Sequence, residues 1–274
     1  MTSAERAARP SAWAEPSTAS RFIWDAATIT RAELTKVRHD PVEMVSRAIQ
    51  PLLWLVIFGQ AIAATRAIPT GSLSYLDYLA PGVLAQSAQF SAIFYGLAVI
   101  WERDLGLAQK LLVTPASRGS LVLGKALAGG IRALVQAAVV YVAAWALGVH
   151  LRADVPSLVE AAVVVILGAS LFATFSLVIA CLVRSRERFM GIGQLLTMPL
   201  FFASSAIYPI DLMPDWLRAI AGVNPLTFMV DALRTVMVEG GASPRGVSTD
   251  VAVLGIVLVL LVALGARVYP RLGE

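Results

Sequence analysis

Six long apolar stretches separated by short charged segments set the pattern of the chain, at about 47–65, 79–101, 127–149, 157–183, 189–208 and 249–269. A bilayer core about 30 Å thick is crossed by roughly 20 apolar helical residues. Each stretch therefore predicts a membrane-spanning helix, and the expected fold is an all-α polytopic membrane protein with six transmembrane helices. Residues 1–20 are rich in Ala, Ser, Pro and Arg and hold no apolar run, so they read as a disordered tail rather than a leader. Residues 21–274 are expected to form a single transmembrane domain.

Three segments between the spans carry their own helical pattern. Residues 21–40 place Ile23, Ala26, Ala27, Thr30, Leu34 and Val37 at helical spacing, with Arg21, Asp25, Arg31, Lys36 and Arg38 elsewhere on the wheel. This predicts an interfacial helix along the inner membrane surface, stopped at Pro41. The loop 102–119 holds a short helical run, Arg103 to Val113, ended by Thr114-Pro115, after which Ser117 is placed to cap the next helix. The segment 209–248 predicts two short helices. Leu212, Trp216, Leu217, Ile220 and Val223 line the first. Asn224-Pro225, an N-cap followed by Pro at the first helical position, opens the second, lined by Phe228, Met229, Ala232, Leu233, Val236 and Met237 and closed by Gly240-Gly241. Both are too short to span and should lie at, or dip into, the outer leaflet.

Composition supports the same class. The chain is 58% hydrophobic and 15% charged, with a mean hydropathy of +0.74, against about 45–50% and about 25% in soluble domains. An ordinary soluble enzyme, a secreted disulfide scaffold and a disordered protein are all excluded. The single cysteine, Cys181, lies in an apolar run and reads as a small buried hydrophobe. His39 and His150 are far apart, so no metal site is expected. The net charge of +4 is explained by topology. With the amino terminus cytoplasmic, only Arg66, Arg152, Arg218, Arg234 and Arg245 of the 22 basic residues fall outside, as the positive-inside rule requires. Both termini are then cytoplasmic, and no nucleic-acid partner is needed. Lys125 and Arg132 lie near one end of the third span, where they would snorkel to the interface.

Catalytic chemistry is hard to find. Gly119-Ser-Leu-Val-Leu-Gly124-Lys125-Ala126 matches all but the last place of a phosphate-binding loop. That last place, Ala126, lacks the hydroxyl that would hold magnesium, and no strand precedes the segment. It reads as a chance match. No catalytic residue, metal or cofactor is assigned to this chain. The spans do hold neutral polar groups. Gln194, Thr197, Phe201, Ser204 and Ser205 would share one face of the fifth span, where Pro199 loosens the backbone. Gln86 and Gln89 lie three apart in the second span. Such groups either join helices or line a path for an amphipathic substrate, and composition alone favours the first.

The order of several short motifs adds to this reading. They are Tyr78-Leu-Ala-Pro-Gly82; Glu102-Arg103-Asp-Leu-Gly106 running on to Leu111-Leu-Val-Thr-Pro115, Ser117-Arg118 and Gly124-Lys125; then Tyr208-Pro209, Met213-Pro214 and Val223-Asn224-Pro225-Leu226. In this order, over about residues 21–270, the chain resembles the permease subunit of type-2 ATP-binding-cassette exporters, close to the daunorubicin-resistance kind. The resemblance implies a coupling helix in the loop between spans two and three, docking on a separate ATPase subunit that holds the ATP and magnesium. The matching residues here are Glu102, Arg103, Gly106, Leu111 and Pro115, with the helix at 21–40 in the same interface. It implies pairing with a second permease copy, a homodimer being favoured, and spans two and five facing a central pathway. That makes Gln86, Gln89 and the 194–205 face a substrate or dimer surface. The short outer helices would form an extracellular gate. The function implied is efflux of a hydrophobic or amphipathic, antibiotic-like molecule from a bacterial-type plasma membrane, in contact with membrane lipid. Export of a lipid-linked glycan or lipid, and a non-transporting membrane scaffold, are the alternatives.

Overall fold

The computed structural model describes residues 18–37, 49–183 and 185–273. The tail through residue 17, the expected helix stop at Pro41 and the first residues of the 47–65 stretch lie outside them. Ten helices follow one another in the described residues: α1 (Thr18–Val37), α2 (Ile49–Thr65), α3 (Tyr75–Asp104), α4 (Leu107–Leu112), α5 (Arg118–Ala146), α6 (Val155–Leu182), α7 (Arg186–Phe202), α8 (Asp215–Val223), α9 (Pro225–Met237) and α10 (Val247–Val268). Extended pairing among them is limited to one isolated bridge, Leu151 to Val238.

Four helices are long and apolar enough to cross a membrane: α3, α5, α6 and α10, the last prolonged by a 3₁₀ turn to Leu272. They cover the expected second, third, fourth and sixth spans. The expected fifth span stops earlier than predicted, and the described part of the first is interrupted. α2 has 17 described residues, mostly apolar, interrupted by a π-turn at Trp54–Gly59, and α7 has 17 residues in all. α3, α5 and α6 pack on one another to form the centre. α10 lies against α6 and α5 with most of its surface outward, and α2 and α7 rest on α3 at the edge.

The sequence explains where these helices begin. Ser74, Ser117, Asp154, Ser185 and Asn224 each accept a hydrogen bond from a backbone N–H in the first turn that follows, satisfying donors that the helix cannot. At Asp154 the Ser157 backbone N–H and hydroxyl hold the carboxyl below its usual range. Helix α3 ends where Gly106, at φ +70°, turns the chain out of line. The helical run expected over Arg103–Val113 is thus broken: Arg103 closes α3, and only Leu107–Leu112 forms α4.

Two expectations change with packing. The helix expected along the membrane surface runs side by side with the first turns of α5. Phe22 lies over Gly119, the Ala26 carbonyl approaches Gly124, and the Glu33 carbonyl accepts from Arg132 at 3.3 Å. Glycines remove the side chains that would hold the two backbones apart; a Cβ on Gly124 would lie 2.7 Å from the Ala26 oxygen. Of the two short helices, α8 has nine residues and is largely exposed. α9, by contrast, is buried on nearly every side, between α3, α6 and α10. Its polar face is Asp231 and Arg234, one turn apart and paired at 2.9 Å, which allows that face inside.

Candidate functional site

At one end of the bundle, three charged side chains from three helices meet out of solvent. Lys125 of α5 is fully buried. Its Nζ donates to Glu33 of α1 at 2.9 Å and to Glu102 of α3 at 2.5 Å. Lys125 therefore does not snorkel, because two carboxylates meet it inside. The same pairing disposes of the phosphate-loop reading for Gly119–Ala126, which is helix from end to end.

Around this triad the expected coupling residues separate by role. Glu102 is buried against Lys125. The Arg103 guanidinium donates to the Val183 carbonyl at 2.9 Å, joining α3 to the end of α6. Asp104 accepts from Arg186 at 2.7 and 3.0 Å, and that guanidinium stacks on Trp101, 3.8 Å from the ring centre. Gly106 supplies the turn, Leu111 packs on the core, and Pro115 is exposed. What faces solvent is apolar: Leu105 is 68% exposed and Val113 85%, with Leu107 beside them. The motif fixes a short helix from below and leaves a greasy tip above. In the sequence, Leu105, Leu107 and Val113 are merely members of the short helical run Arg103–Val113.

The opposite end carries a second cluster. Asp231 of α9 is buried and accepts from the Ser205 hydroxyl at 2.7 Å and from Arg234 at 2.9 Å. Arg245 lies 3.5 Å from its other oxygen. Arg234 also donates to the Ser205 carbonyl at 2.6 Å and stacks over Tyr78, 3.9 Å from the ring centre. Tyr78 donates to the same carbonyl at 3.0 Å, and Tyr75 to that of Ile207 at 3.2 Å. Gly82 completes the seat, since a Cβ there would lie 2.5 Å from the Ala206 oxygen. The Tyr78–Gly82 motif is thus a receptor for the 203–208 turn, held by α9.

This turn corrects the expected face of the fifth span. Helix α7 stops at Phe202, so Ser204 and Ser205 are not on it. Each terminal carbonyl is taken by a side chain: Leu200 and Ala203 by the Asn224 amide at 2.7 and 2.6 Å, Phe201 by Ser204, and Phe202 by Tyr208. These are the groups that a helix end leaves unsatisfied. Asn224 also caps α9 through its oxygen, 3.0 Å from Leu226 N. Asn224→Asp keeps that acceptor and loses both donors, setting a carboxylate against two buried carbonyls. A loss of about 1–3 kcal/mol is expected, read as a lower unfolding midpoint in detergent.

Within α7 the buried stripe is Phe189, Gly193, Thr197 and Phe201, and Gln194 is exposed beside it. Thr197 donates to its own helix at Gly193, and Phe201 meets Trp54 of α2 edge-on at 6.0 Å. Gln86 and Gln89 of α3 are enclosed within the chain. The Gln86 Oε1 and both polar atoms of the Gln89 amide have no hydrogen-bond partner among the described residues. The partly open stripe of α3 is instead Phe90, Phe94 and Leu97, with the two phenyl rings 4.6 Å apart. Another pair missed from sequence is His150 and Asp77, which meet at 3.2 Å.

Residues 26–238 match the ABC-2 type transporter family. The chain belongs to that family. Similar proteins include the ycf38 protein of Cyanophora paradoxa, named as a transport permease, at 29% identity over 78% of this chain and 74% of that one. Nodulation protein J of Bradyrhizobium diazoefficiens is 30% identical over 62% and 64%. DrrC of Mycobacterium tuberculosis, named as a doxorubicin-resistance ABC transporter permease, is 25% identical over 89% and 87%. The ABC-2 match runs from within α1 to the end of α9, so it takes in the Lys125 triad and the Asp231–Arg234 pair.

Proposed function

We propose that the chain is the membrane subunit of an ATP-driven exporter, moving a hydrophobic or amphipathic small molecule with ATP hydrolysed by a separate subunit. The observation that carries this reading is the exposed apolar tip at Leu105, Leu107 and Val113. An aqueous loop that presents large apolar side chains on a braced helix is a docking surface. In this reading six helices cross a bacterial-type plasma membrane, α2 and α7 included, with both termini on the α4 side. At 17 residues, α7 reaches about 25 Å and thins the bilayer locally.

Two copies pair so that the Phe90, Phe94 and Leu97 stripe of α3 and Gln194 of α7 face a shared pathway. Closure of the partner ATPases pushes the α4 tip. The push passes through Arg103 and the Lys125 triad into α3, α1 and α5. At the far end α3 carries Tyr78, so its tilt withdraws the seat of the 203–208 turn and opens the gate made with α9. The apolar stripe favours a lipophilic cargo over a glycan, the alternative that a relative named for nodulation keeps in view.

Accumulation of a lipophilic fluorescent drug in cells expressing the chain with its ATPase tests this function. Export predicts reduced accumulation, restored to control by Phe90→Asp with Phe94→Asp. Unchanged accumulation across a broad panel of lipophilic compounds contradicts it and leaves a scaffold.

A further inference from the structure

We propose that the groove between α1 and α5 holds one membrane phospholipid, its phosphate on Arg31 and one acyl chain laid along Leu34, Leu127 and Ile131. The groove is open to the surface, has a volume of about 580 Å³ and is lined by Ala27, Thr30, Arg31, Leu34, Thr35, Leu127 and Ile131. Its charge sits at one place, since the Thr30 and Thr35 hydroxyls are already bonded to backbone carbonyls. Arg31 is exposed, and its guanidinium has no ion pair or hydrogen bond among the described residues. The acid nearest in sequence, Glu33, points the other way, into Lys125.

A cation with no partner among the described residues, over a mostly apolar trough, matches an amphiphile with an anionic head. A free inorganic anion would leave the trough empty, and an uncharged lipid tail would leave the cation unmatched. Basic sites between helices at a membrane face recognise lipid head groups by this combination. A second observation points to the same occupant. Trp24 is 73% exposed and Ile23 66%, and Trp24, Ala27 and Arg31 recur at helical spacing on one stripe of α1. Tryptophan favours the head-group level of a bilayer, so the stripe that ends in Arg31 begins with a membrane-interface residue. The lipid would fill the seam between α1 and α5, next to the triad that joins them. The proposal goes beyond transport and is independent of the cargo.

The test is native mass spectrometry of the full chain, purified in mild detergent and titrated with phosphatidylglycerol. Arg31→Gln removes the charge, and Ile131→Trp fills the trough. The wild-type chain is expected to retain one lipid per copy. Arg31→Gln should bind it about five- to tenfold more weakly, as loss of one cation at a membrane surface implies. Ile131→Trp should abolish retention, and both variants should match the wild-type unfolding midpoint in lipid-free detergent. Glycerol phosphate without acyl chains should not compete. Equal lipid retention in all three proteins would overturn the proposal. So would competition by glycerol phosphate alone, or disulfide cross-linking of a Leu34→Cys variant to a second copy of the chain.

Discussion

Lys125→Met is expected to destabilise the folded chain by about 3–5 kcal/mol, the cost of removing one partner from a buried ionic site. The substitution keeps the length of the side chain and deletes only its charge. It leaves Glu33 and Glu102 facing each other out of solvent, where each previously lay within 2.9 Å of the ammonium. Their repulsion should push α1 away from α3 and free α4 from the bundle. Thermal unfolding in detergent measures the loss. Adding Glu33→Gln and Glu102→Gln to Lys125→Met should recover most of it, since the two neutral amides no longer repel and can hydrogen-bond to each other beside the apolar Met side chain. That recovery separates an electrostatic brace from a general packing defect. A single variant as stable as wild type would show that the triad bears no weight.

Asp231→Leu should cost a similar amount, about 3–5 kcal/mol, at the other end of the molecule. It strands the buried Arg234 guanidinium and leaves the Ser205 hydroxyl without its acceptor. Arg234 then holds the 203–208 turn only through the Ser205 carbonyl. The double variant Asp231→Leu with Arg234→Met removes both charges and should regain stability, because α9 is otherwise surrounded by apolar side chains. It should not regain transport in the drug-accumulation assay, since Arg234 no longer ties Ser205 to Tyr78. Recovery of both stability and transport in the double variant would remove this cluster from the gating account.

The long spans were legible because their signal is local: 20 or more apolar residues admit few other structures. The caps at Ser117 and Asn224 were legible for the same reason. The end of α7 was not. Its polar residues continue the helical spacing through Ser205, and the helix stops because Asn224, more than 20 residues later, takes its carbonyls. The burial of α9 was hidden by Asp231 and Arg234, which look like a solvent face. Their three-residue spacing was the available signal that they could pair and go inside. The triad was invisible for a stronger reason: Lys125 lies 92 residues from Glu33 and 23 from Glu102. Charge placement therefore put Lys125 at the interface, and the resemblance put Glu102 in the coupling surface. In the structure, Glu102 is buried against Lys125, and the exposed side chains of the 102–119 loop include the apolar Leu105 and Val113.

That difference decides the most direct test of the account. The tagged chain is purified from native membranes in mild detergent, and the eluate is assayed for a co-purifying ATPase. A parallel preparation carries Leu105→Asp with Val113→Asp, two changes on the exposed tip that touch neither the triad nor the core. The account predicts a stoichiometric ATPase with the wild-type chain, lost with the double variant while its unfolding midpoint stays unchanged. An ATPase retained at full yield and activity by the double variant, or absent from the wild-type chain in several detergents, would contradict it.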